Sequence, residues 1–207
     1  QFLRQMRRSN KMKTKTIKVY QFNELSKEIK EKVINEYVGI NVDCDWWVFS
    51  LEDITEQIKE KTSLNINPEK INFDLNRGLK MYIEDSVLLS SLCEKYKYLE
   101  NIDLTAKFGV FTNDLGGGMC SSLKYSDLPT EDMIDLDIDD DTPELKKEVI
   151  RIRYKDNIIN DLNEIHLILE QGIKDLWEDY NNLQSEEAIK ETIEANEYGF
   201  NENGERA

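Results

Sequence analysis

Between Glu131 and Glu148 the chain reads EDMIDLDIDDDTPELKKE, and its middle alternates strictly, with Ile134, Leu136 and Ile138 set against Asp135, Asp137 and Asp139. Period two sends successive side chains to opposite faces. The spacing therefore predicts a strand with three apolar residues buried and a row of aspartates facing water.

Elsewhere the dominant period is helical. After the helix-start residues Asn23 and Ser26, Leu25, Ile29, Val33 and Tyr37 recur at four-residue steps with Ile34 beside them, and Gly39 closes the pattern. A second helix is predicted from about Asp45 to Lys61, with Trp47, Leu51, Ile54 and Ile58 on one stripe. Ser86 to Leu99 reads as helical, and from Ile158 a long stripe runs through Leu162, Ile165, Leu169, Ile173, Leu176 and Tyr180. Ser185-Glu186-Glu187 starts a last helix through Asn196.

Strands are predicted at Thr16 to Phe22, at Lys70 to Asp74 and Leu79 to Glu84 around the turn Leu75-Asn76-Arg77-Gly78, and at Lys107 to Thr112. A short closing strand is predicted at Tyr198 to Phe200. Thr142-Pro143-Glu144 is a helix start, with a capping residue, proline at the first helical position and an acid in the first turn. The segment 148–154, EVIRIRY, also fits a strand.

These elements predict an α+β fold. A small, largely antiparallel sheet is expected from the segments near 16–22, 70–84, 107–112 and 134–138, with helices packed on one face. Residues 12–130 form the expected core, and 131–207 an acidic helical C-terminal part of the same domain. Residues 1–11, QFLRQMRRSNK, carry four bases and no acid. They read either as an electrostatic hook or as a non-native leader ahead of a start at Met12.

Composition changes this picture in one respect. With 39% hydrophobic residues, 9% of all residues aromatic, and only nine Gly and three Pro, the 207-residue chain is too apolar to be disordered. Its formal charge of −15 is localised: residues 1–130 hold 19 acids and 19 bases, whereas 131–207 hold 23 acids and 8 bases. Such asymmetry points to a partner with a basic surface, or to solubility alone, and away from nucleic-acid binding through that half. No apolar run is long enough to span a bilayer, and nothing resembles a signal-peptide core.

No enzyme signature emerges. Cys44, Cys93 and Cys120 are widely spaced and far from the single histidine, which disfavours a disulfide framework or a zinc site and fits a reducing cytoplasm. His166 has the chemistry of a general base but lies within an apolar helical stripe. Gly116-Gly117-Gly118 followed by Met119 and Cys120 has the makings of a phosphate cradle with a nucleophile, yet lacks the Gly-Lys-Ser/Thr ending of a P-loop and reads better as a flexible hairpin loop. Asp135, Asp137 and Asp139 match the first alternate ligands of an EF-hand. Asp140 and Lys146, however, stand where that loop needs Gly and Glu, so no metal or other cofactor is expected.

Four stretches carry a resemblance: VYQFNELSKEIKEKVINEY, DCDWW followed by EDI, INFDLNRG, and LQSEEAIKETIEANEYGFNENGER. They resemble a family of small, mostly uncharacterised phage and prophage proteins, some of them labelled antitoxin-like. The likeness covers about the first 85 residues and the last 25. It implies a mobile-element origin inside a bacterial cell and brings no catalytic residues.

Two functional readings follow. In the first, Asp135, Asp137, Asp139, Asp140, Asp141, Glu144 and Glu148 stand in for phosphates against the basic groove of a host or defence nucleoprotein such as a CRISPR effector or restriction nuclease. Same-face residues on a strand repeat every ~6.5–7 Å, close to phosphate spacing along a single strand. In the second, an antitoxin-like module holds a specific basic protein through apolar anchors such as Trp46, Trp177 and Tyr180. A small-ligand protein using the Gly-rich loop and the Trp pair is a third, lesser reading.

Overall fold

The computed structural model describes residues 18–207 apart from 77, 103, 105–106, 113–122, 126–128, 130–132 and 140. The Gly-rich loop, Cys120, Arg77 and the 1–11 arm lie outside the described residues. The chain divides by packing into two compact units, one made of 1–43 with 183–207 and the other of 44–182. Both are α+β, and every strand pair is antiparallel.

The smaller unit joins distant parts of the chain. Strand β1 (Tyr20–Gln21) pairs with β8 (Gly199–Phe200), placing Tyr20 opposite Phe200. Helices α1 (Lys27–Glu36) and α5 (Glu186–Ala195) complete it. Both start on serine: the Ser26 Oγ accepts from the Ile29 N–H, and the Ser185 Oγ from the Ala188 N–H, each satisfying one of the donors left open at a helix start. The core is Phe22, Leu25, Val33, Ile189, Ile193 and Phe200, with Phe22 and Tyr37 each meeting the Phe200 ring edge-on. The polar tail folds back: Ala207 N–H bonds the Gly199 carbonyl, and the Arg206 guanidinium lies 3.8 Å from the Tyr198 ring centroid.

In the larger unit, α2 (Val48–Thr62) leads into β2 (Ile71–Asp74), β3 (Lys80–Glu84) and α3 (Asp85–Lys95). Strands β4 (Leu99–Ile102), β5 (Lys107–Thr112), β6 (Leu123–Tyr125) and β7 (Ile134–Leu136) follow, and then the 40-residue helix α4 (Glu144–Leu183). The main sheet has the order β2-β3-β5-β6, while β4 and β7 form a separate pair. The predicted hairpin forms, with Ile71 to Asp74 facing Ile83 to Lys80. Two glycines hold this unit close-packed. A Cβ on Gly109 would sit 2.1 Å from the Met81 carbonyl oxygen, and one on Gly172 of α4 would sit 2.5 Å from Ile54 Cδ1 of α2.

The structure differs from expectation in the grouping of its strands, in its first strand and in segment 148–154, and the helix expected over 86–99 ends at Lys95, with Leu99 starting β4. The single sheet is three small ones, because the strand near 20 pairs with the closing strand at 199–200 and the acidic strand pairs with β4. The first strand is short, since Phe22 to Glu24 form a 3-10 turn that buries Phe22. Segment 148–154 is helical: Ile150, Tyr154 and Ile158 step inward at four-residue spacing, and ion pairs from Arg151 to Glu148 (3.5 Å) and Glu144 (2.9 Å) cross successive turns. Its Val and Ile content favours a strand only weakly, and the helical period running on into 158–180 prevails.

Candidate functional site

The acidic segment is anchored by its apolar partners. Ile134 and Ile138 are 2% and 9% exposed, and Leu136 is half-buried opposite Leu99. Asp135, Asp137 and Asp139 are exposed, as the alternation predicts. The ladder itself is brief. Strand β7 ends at Leu136, with one further backbone bond from Asp137 N–H to the Tyr98 carbonyl. The chain then turns, with the Asp139 carboxylate accepting from the Asp141 N–H and the Asp139 carbonyl from the Thr142 N–H. The expected strand over 134–138 is thus a three-residue strand followed by a turn. The row bends rather than running straight, because five aspartates between 135 and 141 repel one another and favour turn geometry over a longer ladder.

Asp135, Asp137, Asp139 and Asp141 have no cationic partner among the described residues, and Asp140 lies outside them. Glu144 and Glu148 are different. Both answer Arg151 on the first turns of α4, and Lys146, Lys147, Arg153 and Lys155 crowd the same turns. The uncompensated negative surface is therefore the strand and turn, and not the helix start.

The aromatic anchors face inward. Trp46 and Trp47 precede α2, stand edge to face at 5.9 Å and are both half-buried. Trp46 packs on Tyr180 at 5.9 Å, and Trp47 on Phe73 at 5.7 Å. Trp177 is also half-buried. Trp46 and Tyr180 are thus brought together as a contact between α2's leading turn and α4. Among the described aromatic side chains the one left standing out is Phe49, at 80% exposure, which the helical stripe did not single out.

His166 is 3% exposed and stacks on Phe108, centroids 4.1 Å apart and planes 6° from parallel. Burial pulls its pKa from 6.5 down to about 4, so the ring is neutral at pH 7. It belongs to the core.

Sequence reasoning missed a polar cluster at the meeting of α2, α3 and α4. The Lys95 ammonium donates to the Thr62 carbonyl and to Asp161 Oδ2, and the Tyr96 hydroxyl donates to the same oxygen at 2.7 Å. Burial, and then the Asp161 carboxylate, push the Tyr96 phenol far above its usual range. Tyr96 and Tyr98 both lean on Tyr154 at 5.7 and 5.4 Å. Asp161 sits one residue before Leu162 on the apolar stripe, the only available hint that a carboxylate turns inward there. A locked carboxylate held by an ammonium and a phenol ties helices together and offers no nucleophile.

Among the described residues no group of three His, Cys, Asp or Glu side chains is placed to hold a metal ion. No helix among them is long and apolar enough to cross a membrane. No protein-family model, no curated protein and no solved structure matches this chain.

Proposed function

We propose that this chain is a phage- or prophage-encoded inhibitor that works in the bacterial cytoplasm by binding a host or defence nucleoprotein. Its acidic strand and turn occupy a groove made for nucleic-acid phosphates. The observation that supports this reading best is the set Asp135, Asp137, Asp139 and Asp141, four exposed carboxylates without a cationic partner among the described residues, fastened to the core through Ile134 and Ile138. Basic grooves draw much of their affinity from releasing counterions, and carboxylates fixed on a folded edge compete for the same Lys and Arg side chains without first having to be ordered. The phage-like sequence stretches supply the biological setting. Glu144 and Glu148 belong to the rim, already half-neutralised by Arg151.

The test is capture from bacterial lysate on the immobilised chain, eluted in parallel with salt, with heparin and with short DNA. A nucleic-acid-binding protein released by all three, and not captured by the Asp135→Asn, Asp137→Asn, Asp139→Asn, Asp141→Asn variant, supports the reading. A partner that survives high salt and is lost on Trp177→Ala instead supports the antitoxin-like module and defeats mimicry.

A further inference from the structure

The first turns of α4 carry an apolar seam that the described residues leave uncovered. Leu145, Val149 and Ile152 are 83%, 59% and 52% exposed at i, i+4 and i+7, one stripe on one face of the helix. The opposite side, at Ile150, Tyr154 and Ile158, turns toward the protein's own interior. Written as a heptad, Leu145 and Ile152 occupy d and Val149 occupies a. Lys146 and Arg153 then fall at e and Glu148 at g. One edge of the seam is basic and the other acidic.

We propose that this seam pairs with the same seam of a second copy, side by side and parallel. In a parallel pair each g residue meets the e residue five positions on in the other helix. That matches Glu148 with Arg153 of the second copy, opposite in sign and twice over by symmetry. An antiparallel pair brings e against e, Lys146 against Arg153, and is repelled. Lys146 and Arg153 have no ion-pair partner within their own chain among the described residues, so both are available to a second copy. The contact is bounded by Pro143 before it and by Asp156 at the next a position, so the dimer is short and reversible. It stands apart from the acidic-groove reading, which a monomer satisfies equally.

Sedimentation velocity from about 1 μM to about 1 mM, at about 0.15 M salt, tests it. The expected result is a concentration-dependent monomer–dimer equilibrium, with Val149→Asp and Leu145→Asp each monomeric throughout while their circular dichroism is unchanged. Glu148→Arg and Arg153→Glu each weaken association about tenfold, and the two together restore it. A wild type that stays monomeric over the whole range overturns the proposal, as does a dimer indifferent to both aspartate variants. A combined charge swap no better than the single ones overturns the parallel pairing.

Discussion

The stacked pair of His166 and Phe108 makes a quantitative prediction about acid. In the unfolded chain the imidazole titrates at its ordinary 6.5, whereas in the fold burial holds it at about 4. Between those values the unfolded state takes up a proton that the folded state refuses, so stability is lost as pH falls. The loss begins near pH 6.5 and is complete below about 4; above 6.5 the histidine has no effect of this kind. A fall from 6.5 to about 4 corresponds to ~3 kcal/mol in full, with ~2 kcal/mol of it gone by pH 5. The assay is urea unfolding followed by tryptophan fluorescence at pH 7, 6, 5 and 4.5 for wild type and His166→Phe. Trp46, Trp47 and Trp177 all belong to the larger unit, the same unit as His166, so the signal reports the right transition. Carboxylates titrate alike in both proteins and cancel in the difference, as does any fixed cost of fitting the larger ring. The stability gap between variant and wild type is expected to move by ~2 kcal/mol in the variant's favour from pH 7 to pH 5. Parallel pH profiles would refute the claim that a neutral, buried imidazole is part of the core.

Further expectations follow from the same structure. Asp161→Ala strands the Tyr96 hydroxyl and removes the Lys95 ion pair, costing about 2–3 kcal/mol in urea unfolding. The triple change Asp161→Leu, Lys95→Met, Tyr96→Phe is expected to cost less than that single one, because it leaves no polar group behind. Gly109→Ala drives a methyl into the backbone of β3 and is expected to cost about 3 kcal/mol or more, seen as a lowered melting temperature or insoluble expression. Ser185→Ala removes the cap of α5 and costs about 1 kcal/mol by thermal or urea unfolding followed by circular dichroism. The four-fold Asp→Asn variant over 135–141 alters stability by no more than ~0.5 kcal/mol, since those side chains are exposed and without ion-pair partners among the described residues, and an amide oxygen at 139 still accepts from the Asp141 N–H.

Legibility in the sequence tracked how local each signal was. The helical stripes of α1, α2 and the second half of α4, the hairpin at 71–84 and the inward turn of Ile134 and Ile138 were all readable, because each is set by spacing within a dozen residues. The grouping of strands was not, because nothing near Tyr20 indicates that its partner is Phe200. Segment 148–154 was ambiguous for a different reason. Val149, Ile150 and Ile152 serve two faces of one helix, the outer seam and the inner stripe, and two overlapping helical stripes look like β-branched enrichment. The acidic row was legible in its exposure and not in its shape, since mutual repulsion and turn geometry after Leu136 decide where the strand stops. The Lys95–Asp161 cluster joins residues 66 apart and left only the inward phase of Asp161 as a clue.

The pairing of β1 with β8 sets a timetable for the newborn chain. The smaller unit is made of the two flanks of the larger one, so its first half emerges from the ribosome with nothing to fold against. At ~5–20 residues per second, Phe200 arrives roughly 10–35 s after Tyr20. Throughout that interval Phe22, Leu25 and Val33 have no Ile189, Ile193 or Phe200 to cover them, while the stretch from 44 to 182 can close on its own. The larger unit is therefore expected to fold first, and a ribosome that stops between residues 183 and 199 to release a chain with a finished centre and an adhesive flank. Removing residues 183–207 would reproduce that state at leisure.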